Sequence, residues 1–328
     1  MAHPVSPELE SWLLTESDPS VRLRYLTEVA GRPPSDPAVA AARAEVGKDG
    51  WAARILDEQL PSGVWDSAQT DAPHLYRPKY IATNWRLLVL SDLGVTRSHP
   101  GVAVAVERTF AAQDRPDSDL GGTDSEVCYT GNAVRYLTRL GYGDHPAVAR
   151  SIDWLVAAQK ADGGWHCAPS ETGTLDGWEA LAAFAALPED RRTAPIRAAI
   201  ARGANFYLDR GLLREGEPYA PWSRLHYPTH YYYDLLVGLD MLTALGYGRD
   251  HRILPALDLL ESKRDAAGRW ALEAVHPDLE AGADYAPRTP VYPFQLEMPG
   301  GPSRWITVTA LTVLLRAGRI PRPAAAQA

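Results

Sequence analysis

The sequence contains very little cysteine: Cys128 and Cys167 are the only two among 328 residues. They can form at most one disulfide bond, which excludes a small protein held together by a disulfide framework. In a chain of this length they are better interpreted as free thiols or metal ligands. No stretch approaches the roughly 18 consecutive apolar residues that a membrane-spanning helix needs, so no span is predicted.

Positive charge is in deficit, because 33 lysines and arginines stand against 41 aspartates and glutamates and give a formal net charge of −8. Nucleic acid and anionic membranes are therefore not expected partners. The first eight residues, MAHPVSPE, lack a basic segment followed by an apolar one, so a secretory signal is not expected either. These features predict a cytoplasmic protein and leave its oligomeric state open.

Phenylalanine is scarce, with 4 residues, whereas the chain has 10 tryptophans and 15 tyrosines. Most aromatic rings thus carry a polar group, which suits the wall of a cavity better than a dry core. Apolar residues make up 45% of the chain, enough to bury a large core.

A Q-x3-G-x-W pattern occurs at residues 59–65 and again at residues 159–165. A third copy at residues 264–270 keeps the glycine and the tryptophan but begins with arginine, and weaker echoes at 113–114 and 209–211 give a period of about 50 residues. A period of this length is typical of helical-hairpin repeats. We expect the three tryptophans to hold the hairpin turns and not to take part in catalysis.

Apolar residues at helical spacing predict two kinds of helix in alternation. The first kind begins after His-Pro or a similar pair and ends near a repeat mark, as at residues 99–113, 145–159 and 250–262. The second kind follows the turn and ends near a glycine, which is the usual residue just past a helix end. Its members are predicted at residues 83–94, 128–141, 174–187, 230–246 and 305–318.

Five or six such hairpins predict an all-α fold, an α/α toroid in which the first kind of helix forms an outer ring and the second an inner ring. We expect one toroid domain over residues 20–318, an N-terminal segment at 1–19 and a flexible tail at 319–328. The first residues of the inner helices would then meet at one end of a central cavity. Polar and aromatic residues concentrate at those same positions, which indicates a functional site there.

The repeated pattern, best preserved as QKADGGW at residues 159–165, resembles that of the prenyltransferase and squalene-cyclase repeat superfamily. The resemblance covers about residues 20–318 and implies the same α/α toroid. It is less informative about chemistry, because this fold serves terpenoid cyclases, protein prenyltransferases, thioester domains and lanthionine cyclases.

A class II terpene cyclase needs an acidic carboxyl group to protonate an alkene or epoxide, followed by a sequence such as Thr-Ala-Glu-Ala-Leu. The matching stretch here is residues 173–181. When it is aligned on Glu179, the position of the proton-donating aspartate is taken by Leu175, which cannot donate a proton. Only the neighbouring Asp176 remains, so a metal-free terpene cyclase that uses Asp176 is one alternative.

Protein prenyltransferase β subunits bind zinc through an acidic residue, a cysteine two positions later and a histidine at a later inner-helix start. Glu126, Cys128 and His230 are similar to these positions, with glutamate in place of aspartate, and Cys167 lies at the corresponding level one repeat after Cys128. Zinc favours four tetrahedral ligands, one of them exchangeable in a catalytic site. We therefore predict zinc bound by Cys128, Cys167 and His230, with Asp234 accepting the second N–H of the histidine ring.

The simpler interpretation is that these are small buried cysteines and a hydrogen-bonded cavity histidine. The prediction from the sequence is zinc-dependent transfer or cyclisation of a small, largely apolar substrate, isoprenoid-like or a thiol. A non-catalytic toroid that binds a ligand or a partner is the further alternative. The candidate acids and bases are Glu126, Asp176, Glu179 and Asp234. The candidate substrate-binding aromatic residues are Trp85, Trp178, Trp222, Tyr231, Tyr232, Tyr233 and Trp305.

Overall fold

The computed structural model describes residues 5–65, 80, 82–113, 126–214, 219–274 and 296–323. Thirteen α-helices lie in these ranges: α1 Pro7–Leu14, α2 Pro19–Arg24, α3 Pro37–Glu45, α4 Gly50–Asp57, α5 Thr83–Asp92, α6 Pro100–Gln113, α7 Val127–Leu137, α8 Pro146–Ala157, α9 Glu179–Ala186, α10 Ala194–Asp209, α11 Leu235–Ala244, α12 Leu254–Ser262 and α13 Arg304–Arg316. Short π-helical turns extend α2 over Tyr25–Val29 and α7 over Thr138–Tyr142. Two short strands, β1 Trp270–Ala271 and β2 Pro302–Ser303, pair antiparallel.

Six helices form a closed inner ring. Helix α5 packs against α7, α7 against α9, α9 against α11, α11 against α13 and α13 against α2. Leu23 of α2 lies beside Gly94 at the end of α5, which completes the circle. Between α2 and α13, Arg24 Nη1 donates a hydrogen bond of 2.7 Å to Thr309 Oγ1. The predicted α/α toroid is therefore confirmed.

Burial explains which helices are inner and which are outer. In α5 and α13 nearly every residue is buried, as expected of helices enclosed on all sides. In α4 and α8 only one face is buried, and the other is polar and faces the solvent. Helix α1 lies in the segment predicted to precede the domain, and its Leu9 and Leu13 are buried against the rest of the fold.

The three repeat tryptophans hold their turns in the same way. Each indole Nε1 donates to the carbonyl oxygen ten residues earlier, at 2.6 Å for Trp65, 2.8 Å for Trp165 and 2.7 Å for Trp270. Gln159 Nε2 donates to the carbonyl of Gly163 within its own turn and to that of Ala199 on the next outer helix. In the first copy, Gln59 Nε2 donates in the same way to the carbonyls of Gly63 and Gly101. Each tryptophan thus links its turn to the helix that precedes it.

The outer helices begin close to where the sequence predicted. The His-Pro pairs act as caps, because Nδ1 of His99 and of His145 each accept a hydrogen bond from the backbone N–H two residues on. Two inner helices begin later than predicted. Before α9, Thr174 forms an isolated β-bridge with Trp165 and a short 3-10 turn follows over Leu175–Gly177. Before α11 the chain passes through His230 in a left-handed conformation (φ 47°).

No helix in the described part of the chain is both long and apolar enough to cross a lipid bilayer.

Candidate functional site

A cavity of about 440 Å³ lies inside the inner ring and is lined by side chains from all six inner helices. Its volume falls within the range of about 300–1,000 Å³ that is usual for small-molecule sites. At the end where α9, α11 and α13 begin, its wall is aromatic and contains Trp178, Tyr227 and Trp305. At the other end, where the inner helices finish, its wall is charged and contains Asp92, Arg139, Glu28, Asp240 and Arg316.

A histidine–aspartate pair lies in the wall of this cavity. His226 Nδ1 is 2.7 Å from Asp234 Oδ2, and the same oxygen accepts the backbone N–H of His226 at 2.9 Å. The other oxygen, Oδ1, caps helix α11 by accepting the N–H of Val237 at 2.8 Å. Both residues are buried, and the aspartate fixes the orientation of the imidazole ring.

The aromatic wall also positions two arginines. The guanidinium of Arg24 lies 4.9 Å from the ring centre of Trp305, and that of Arg135 lies 5.0 Å from Trp178. Tyr227 stacks on Trp305 with ring centroids 4.6 Å apart. These contacts fix the guanidinium groups beside apolar surface by cation–π attraction.

Ion pairs organise the charged end of the cavity. Arg316 contacts Asp240 at 2.8 Å and Glu28 at 3.2 Å, and Arg24 contacts Glu28 at 3.3 Å. Burial alone would raise the pKa of Asp240, but Arg316 and Arg24 together lower it below its ordinary value. The carboxylates at this end are thus paired with arginines across neighbouring helices.

The two cysteines do come together. The backbone N–H of Cys128 donates to Cys167 Sγ at 3.1 Å, and Cys128 Sγ is 3.6 Å from Glu126 Oε2. The hydrogen bond from the Cys128 thiol to Cys167 raises the pKa of Cys128, and burial adds to that rise. The same hydrogen bond lowers the pKa of Cys167, so the pair loses its first proton from Cys167.

His230 does not join the two cysteines. Its ring lies against Tyr80 and Trp85, at centroid distances of 5.1 Å and 5.3 Å, and Asn132 Nδ2 donates to its carbonyl oxygen. Burial lowers the pKa of His230 well below its ordinary value, and electrostatic interactions with His226, Arg135 and Arg86 lower it further. This partner set differs from the predicted one, in which Asp234 would bind His230, because Asp234 binds His226 instead.

Among the residues that the structure describes, no three histidine, cysteine, aspartate or glutamate side chains are placed to hold one metal ion. Cys128, Cys167 and His230 are thus not grouped as one set of ligands in the described structure. The reason is local, because the backbone before α11 turns the His230 ring into an aromatic cluster. Zinc binding stays a prediction, and no catalytic step is assigned to a metal here.

The four predicted acids and bases occupy different environments. Asp234 lines the cavity, Glu126 is exposed, and Asp176 is an exposed residue that accepts a 3.2 Å hydrogen bond from Trp222 Nε1. Glu179 is fully buried between α7 and α9, and neither carboxyl oxygen has a hydrogen-bond partner in the described part of the chain. Burial raises the pKa of Glu179 well above its ordinary value, and the nearby Cys167 raises it further.

Two of the seven predicted substrate-binding aromatic residues, Trp178 and Trp305, line the cavity. The others form two packed groups. Trp85 and Tyr231 join Tyr80, whose hydroxyl is 2.9 Å from that of Tyr231, and Tyr232 packs on Tyr231. Trp222 and Tyr233 meet edge-to-face at 6.0 Å in the wall of the fold.

The cavity residues that the sequence did not reveal include His226, Tyr227, Arg24 and Arg135. His226 and Tyr227 lie in an irregular segment, where no helical pattern indicates which side chains face inward. Arg135 carries a weak signal, since it is a charged residue in a helix that is otherwise almost wholly apolar and buried.

No protein-family model and no curated protein matches the chain. Solved structures match over most of its length. A protein from Actinoplanes is 18% identical, with a TM-score of 0.42, over 90% of this chain and 89% of its own. The ligand-free type II terpene cyclase MstE from Scytonema is 16% identical, with a TM-score of 0.44, over 92% of this chain and 88% of its own. At these identities and TM-scores the similarity assigns neither an activity nor a substrate to this chain.

Proposed function

We propose that this protein is an enzyme that performs acid–base chemistry on a small, largely apolar substrate in the central cavity. His226 is the proton-transfer residue and Asp234 is its positioning residue. The observation that carries the proposal is the 2.7 Å contact between His226 Nδ1 and Asp234 Oδ2 in the aromatic wall of the cavity.

The pair has the parts that general acid–base catalysis requires. Histidine is the side chain whose ordinary pKa lies nearest neutrality, so it exchanges protons readily there. An aspartate on Nδ1 fixes the ring orientation and the tautomer and stabilises the imidazolium that forms when Nε2 takes a proton. A positioned acid or base of this kind contributes about 10²–10⁴-fold to a reaction rate. Asp234 acts through His226, since its two oxygens are engaged by His226 and by the helix cap.

The lining supports an apolar substrate. Beside Trp178, Tyr227 and Trp305, the cavity presents Leu236 and Met241 from helix α11. The resemblance of the repeats to the prenyltransferase and squalene-cyclase superfamily agrees with an isoprenoid-like substrate. Cyclisation or isomerisation of such a molecule includes the removal of a proton from a carbon atom, and this is the step we assign to His226.

In the metal-free reaction, proton transfer is assigned to His226 and not to Asp176. Asp176 is exposed and bonded to Trp222, and it is not among the described residues that line the cavity. Glu179 is a weak proton donor, because its raised pKa keeps the proton bound, and it does not line the cavity either. Neither residue lies in the cavity wall, whereas His226 does.

The test is turnover of an isoprenoid panel, namely farnesol, geranylgeraniol, squalene and farnesyl diphosphate, with products followed by mass spectrometry. We expect His226→Ala and Asp234→Asn each to lower kcat/KM by about 10²–10⁴-fold. Asparagine preserves the helix cap but presents an amide to the histidine, so it separates catalysis from folding.

The matched control is His251→Ala. His251 also stands near an aspartate, with Nδ1 3.7 Å from Asp250 Oδ1, but its side chain is 89% exposed on the outside of the fold. Its variant should keep full activity. Wild-type activity in His226→Ala would contradict the proposal, and tight binding of a panel member without turnover would favour the non-catalytic toroid.

A further inference from the structure

Cys128 and Cys167 are neighbours in the fold although they are 39 positions apart in the chain. Cys128 is the second residue of helix α7, and Cys167 lies two residues after the tryptophan of the turn at residues 159–165. The backbone N–H of Cys128 donates to Cys167 Sγ at 3.1 Å, and the Cys128 thiol donates to the same sulfur. The two sulfur atoms therefore lie side by side between α7 and this turn.

This placement suits a disulfide bond. A disulfide needs sulfur atoms that can approach to about 2.05 Å and Cα atoms no more than about 7 Å apart. The Cys167 sulfur is already in hydrogen-bond contact with the backbone nitrogen of Cys128, which is one covalent bond from the Cα of that residue. Rotation of the two side chains can thus join the sulfurs while α7 and the turn keep their places.

The two thiols differ in their access to solvent. Cys128 is 7% exposed, whereas Cys167 is partly exposed beside the turn. A small oxidant in solution therefore reaches Cys167 first. The sulfur of Cys167 also accepts the N–H of Cys128 from the first turn of α7, and such a contact stabilises the negative charge of a thiolate. Cys128 stands behind it as the second thiol.

Glu126 is placed to take the proton of the second thiol. Its Oε2 is 3.6 Å from Cys128 Sγ, and the residue directly precedes α7. Because Glu126 is exposed, it can pass that proton on to water. The two thiols and the carboxylate thus provide the attacked sulfur, the attacking sulfur and the proton acceptor that a conversion from dithiol to disulfide requires.

We propose that Cys167 and Cys128 form a site of reversible oxidation by peroxides, which closes a disulfide between helix α7 and the turn at residues 159–165. This inference goes beyond the proposed function and does not depend on His226. In a reducing compartment a disulfide of this kind forms transiently, when oxidant is present, and is otherwise kept as two thiols.

The reaction has two steps. The Cys167 thiolate attacks one oxygen of the peroxide, the O–O bond breaks, and Cys167 becomes a sulfenic acid while the departing hydroxide takes a proton and becomes water. The Cys128 sulfur then attacks the Cys167 sulfur and gives its proton to Glu126. The S–S bond forms, the S–O bond breaks, and the oxygen leaves as water. Two electrons pass from the thiols to the peroxide, and a dithiol reductant reverses the change by exchange.

The first experiment adds hydrogen peroxide to the reduced full-length protein and follows its thiols and its mass. We expect the two free thiols of the chain to disappear together, with the loss of two hydrogen atoms from the intact mass and one linked peptide pair that contains Cys128 and Cys167. Dithiothreitol should restore both thiols. Loss of thiols by gain of oxygen alone, or by disulfides between two chains, would overturn the inference.

The single variants test the order of the two steps. Cys128→Ser should stop at the sulfenic acid of Cys167, which dimedone traps. Cys167→Ser should react with peroxide about tenfold or more slowly than Cys128→Ser, because its remaining thiol is buried. Equal rates in the two variants would contradict the assignment of Cys167 as the thiol that is attacked first.

The matched control combines Cys128→Ser with Thr130→Cys, which keeps two thiols and moves one of them. Residue 130 is buried and lies two positions further along α7, so its side chain leaves the helix on the opposite side. This variant should form no internal disulfide under conditions that convert the wild type. Closure at the wild-type rate would mean that chain flexibility, and not the placement of Cys128, brings the thiols together.

A second experiment asks whether the disulfide fits the native fold. It would close a loop that spans 39 positions, so the Tm of the oxidised wild type should exceed that of the reduced protein by about 2–6 °C. Peroxide should cause no such rise in Cys128→Ser. A lower Tm after oxidation would show that the bond forms only by distorting the fold and would overturn the inference. None of these measurements uses turnover, so their outcome is separate from that of His226→Ala.

Discussion

Gly131 of helix α7 lies directly against Glu179 of helix α9, and a Cβ atom at position 131 would stand 2.7 Å from the Cβ of Glu179. Real side chains do not approach this closely, so the two helices are in contact here only because residue 131 has no side chain. The contact sets the depth at which the Glu179 carboxyl group is buried. It also brings Arg135, one turn further along α7, close enough to Glu179 for their charges to interact.

Gly131→Ala should therefore destabilise the protein by about 1–3 kcal/mol, because α7 and α9 must move apart to admit the methyl group. Denaturant unfolding followed by far-UV circular dichroism measures the change. The control is Gly301→Ala, where the nearest atom to the new Cβ is 3.8 Å away. That variant should stay within about 0.5 kcal/mol of the wild type. Equal stability of the two variants would show that α7 and α9 pack less tightly than described.

Glu179 should make stability depend on pH. Its pKa is raised in the folded protein, so between its ordinary value of 4.5 and the folded value the native state holds a proton that the unfolded state has lost. The free energy of unfolding should fall in that window as the pH rises, by at most about 1.4 kcal/mol per pH unit from this group. Glu179→Gln, which is neutral at every pH, should be the more stable protein at neutral pH, by a margin that grows from pH 4.5 upward.

The control for this titration is the exposed Glu171→Gln. Its difference from the wild type should stay small across the same pH range. A parallel pH profile for Glu179→Gln and the wild type would mean that Glu179 is ionised in the folded protein.

The cysteine pair should react unequally with an alkylating reagent. Cys128 donates to Cys167, which lowers the pKa of Cys167 and raises that of Cys128, and the thiolate is the reactive form. Iodoacetamide at neutral pH should therefore modify Cys167 before Cys128, as mass spectrometry of peptides would show. Cys128→Ala removes the thiol donor and keeps the backbone N–H donor, so it should slow alkylation of Cys167 without abolishing it. Faster modification in the variant would indicate that Cys128 merely shields its neighbour.

The fold was predictable because its signals are local. The turn at residues 159–165 needs a glycine with positive φ and a tryptophan whose Nε1 reaches a carbonyl ten residues back, and both requirements appear in the sequence. Asp234, Trp178 and Trp305 were predictable for the same reason, since each stands at or next to the first residue of an inner helix.

The rest of the site depends on contacts between distant parts of the chain. His226 belongs to the cavity because an irregular segment folds back onto the cap of α11, which helical periodicity does not report. Arg135 donates no hydrogen bond to Asp92, because that carboxylate on another helix is held by Arg139. The spacing of Cys128, Cys167 and His230 likewise does not report the direction of the His230 ring.

The geometry makes a specific prediction about zinc. After dialysis against zinc and removal of excess metal, any zinc retained should decrease in Cys128→Ser and stay unchanged in His230→Ala, because His230 does not group with the cysteines. Elemental analysis of the three proteins decides the point. A loss of zinc in His230→Ala would restore the three-ligand site predicted from the sequence and require the ring to leave its contact with Tyr80 and Trp85.

Replacement of the two stacked arginines of the cavity should change the free energy of unfolding in opposite directions. Without ligand, Arg135→Met eliminates a buried cation that has unsatisfied donors, so the free energy of unfolding should rise by about 1–3 kcal/mol. Arg24→Met removes a cation bonded to Thr309 and Glu28, so the free energy should fall by a similar amount. Methionine has a volume comparable to that of arginine, so each variant serves as the control for the other in urea unfolding. A fall for both variants would mean that the ion pair with Asp92 and the contact with Trp178 outweigh the unsatisfied donors of Arg135.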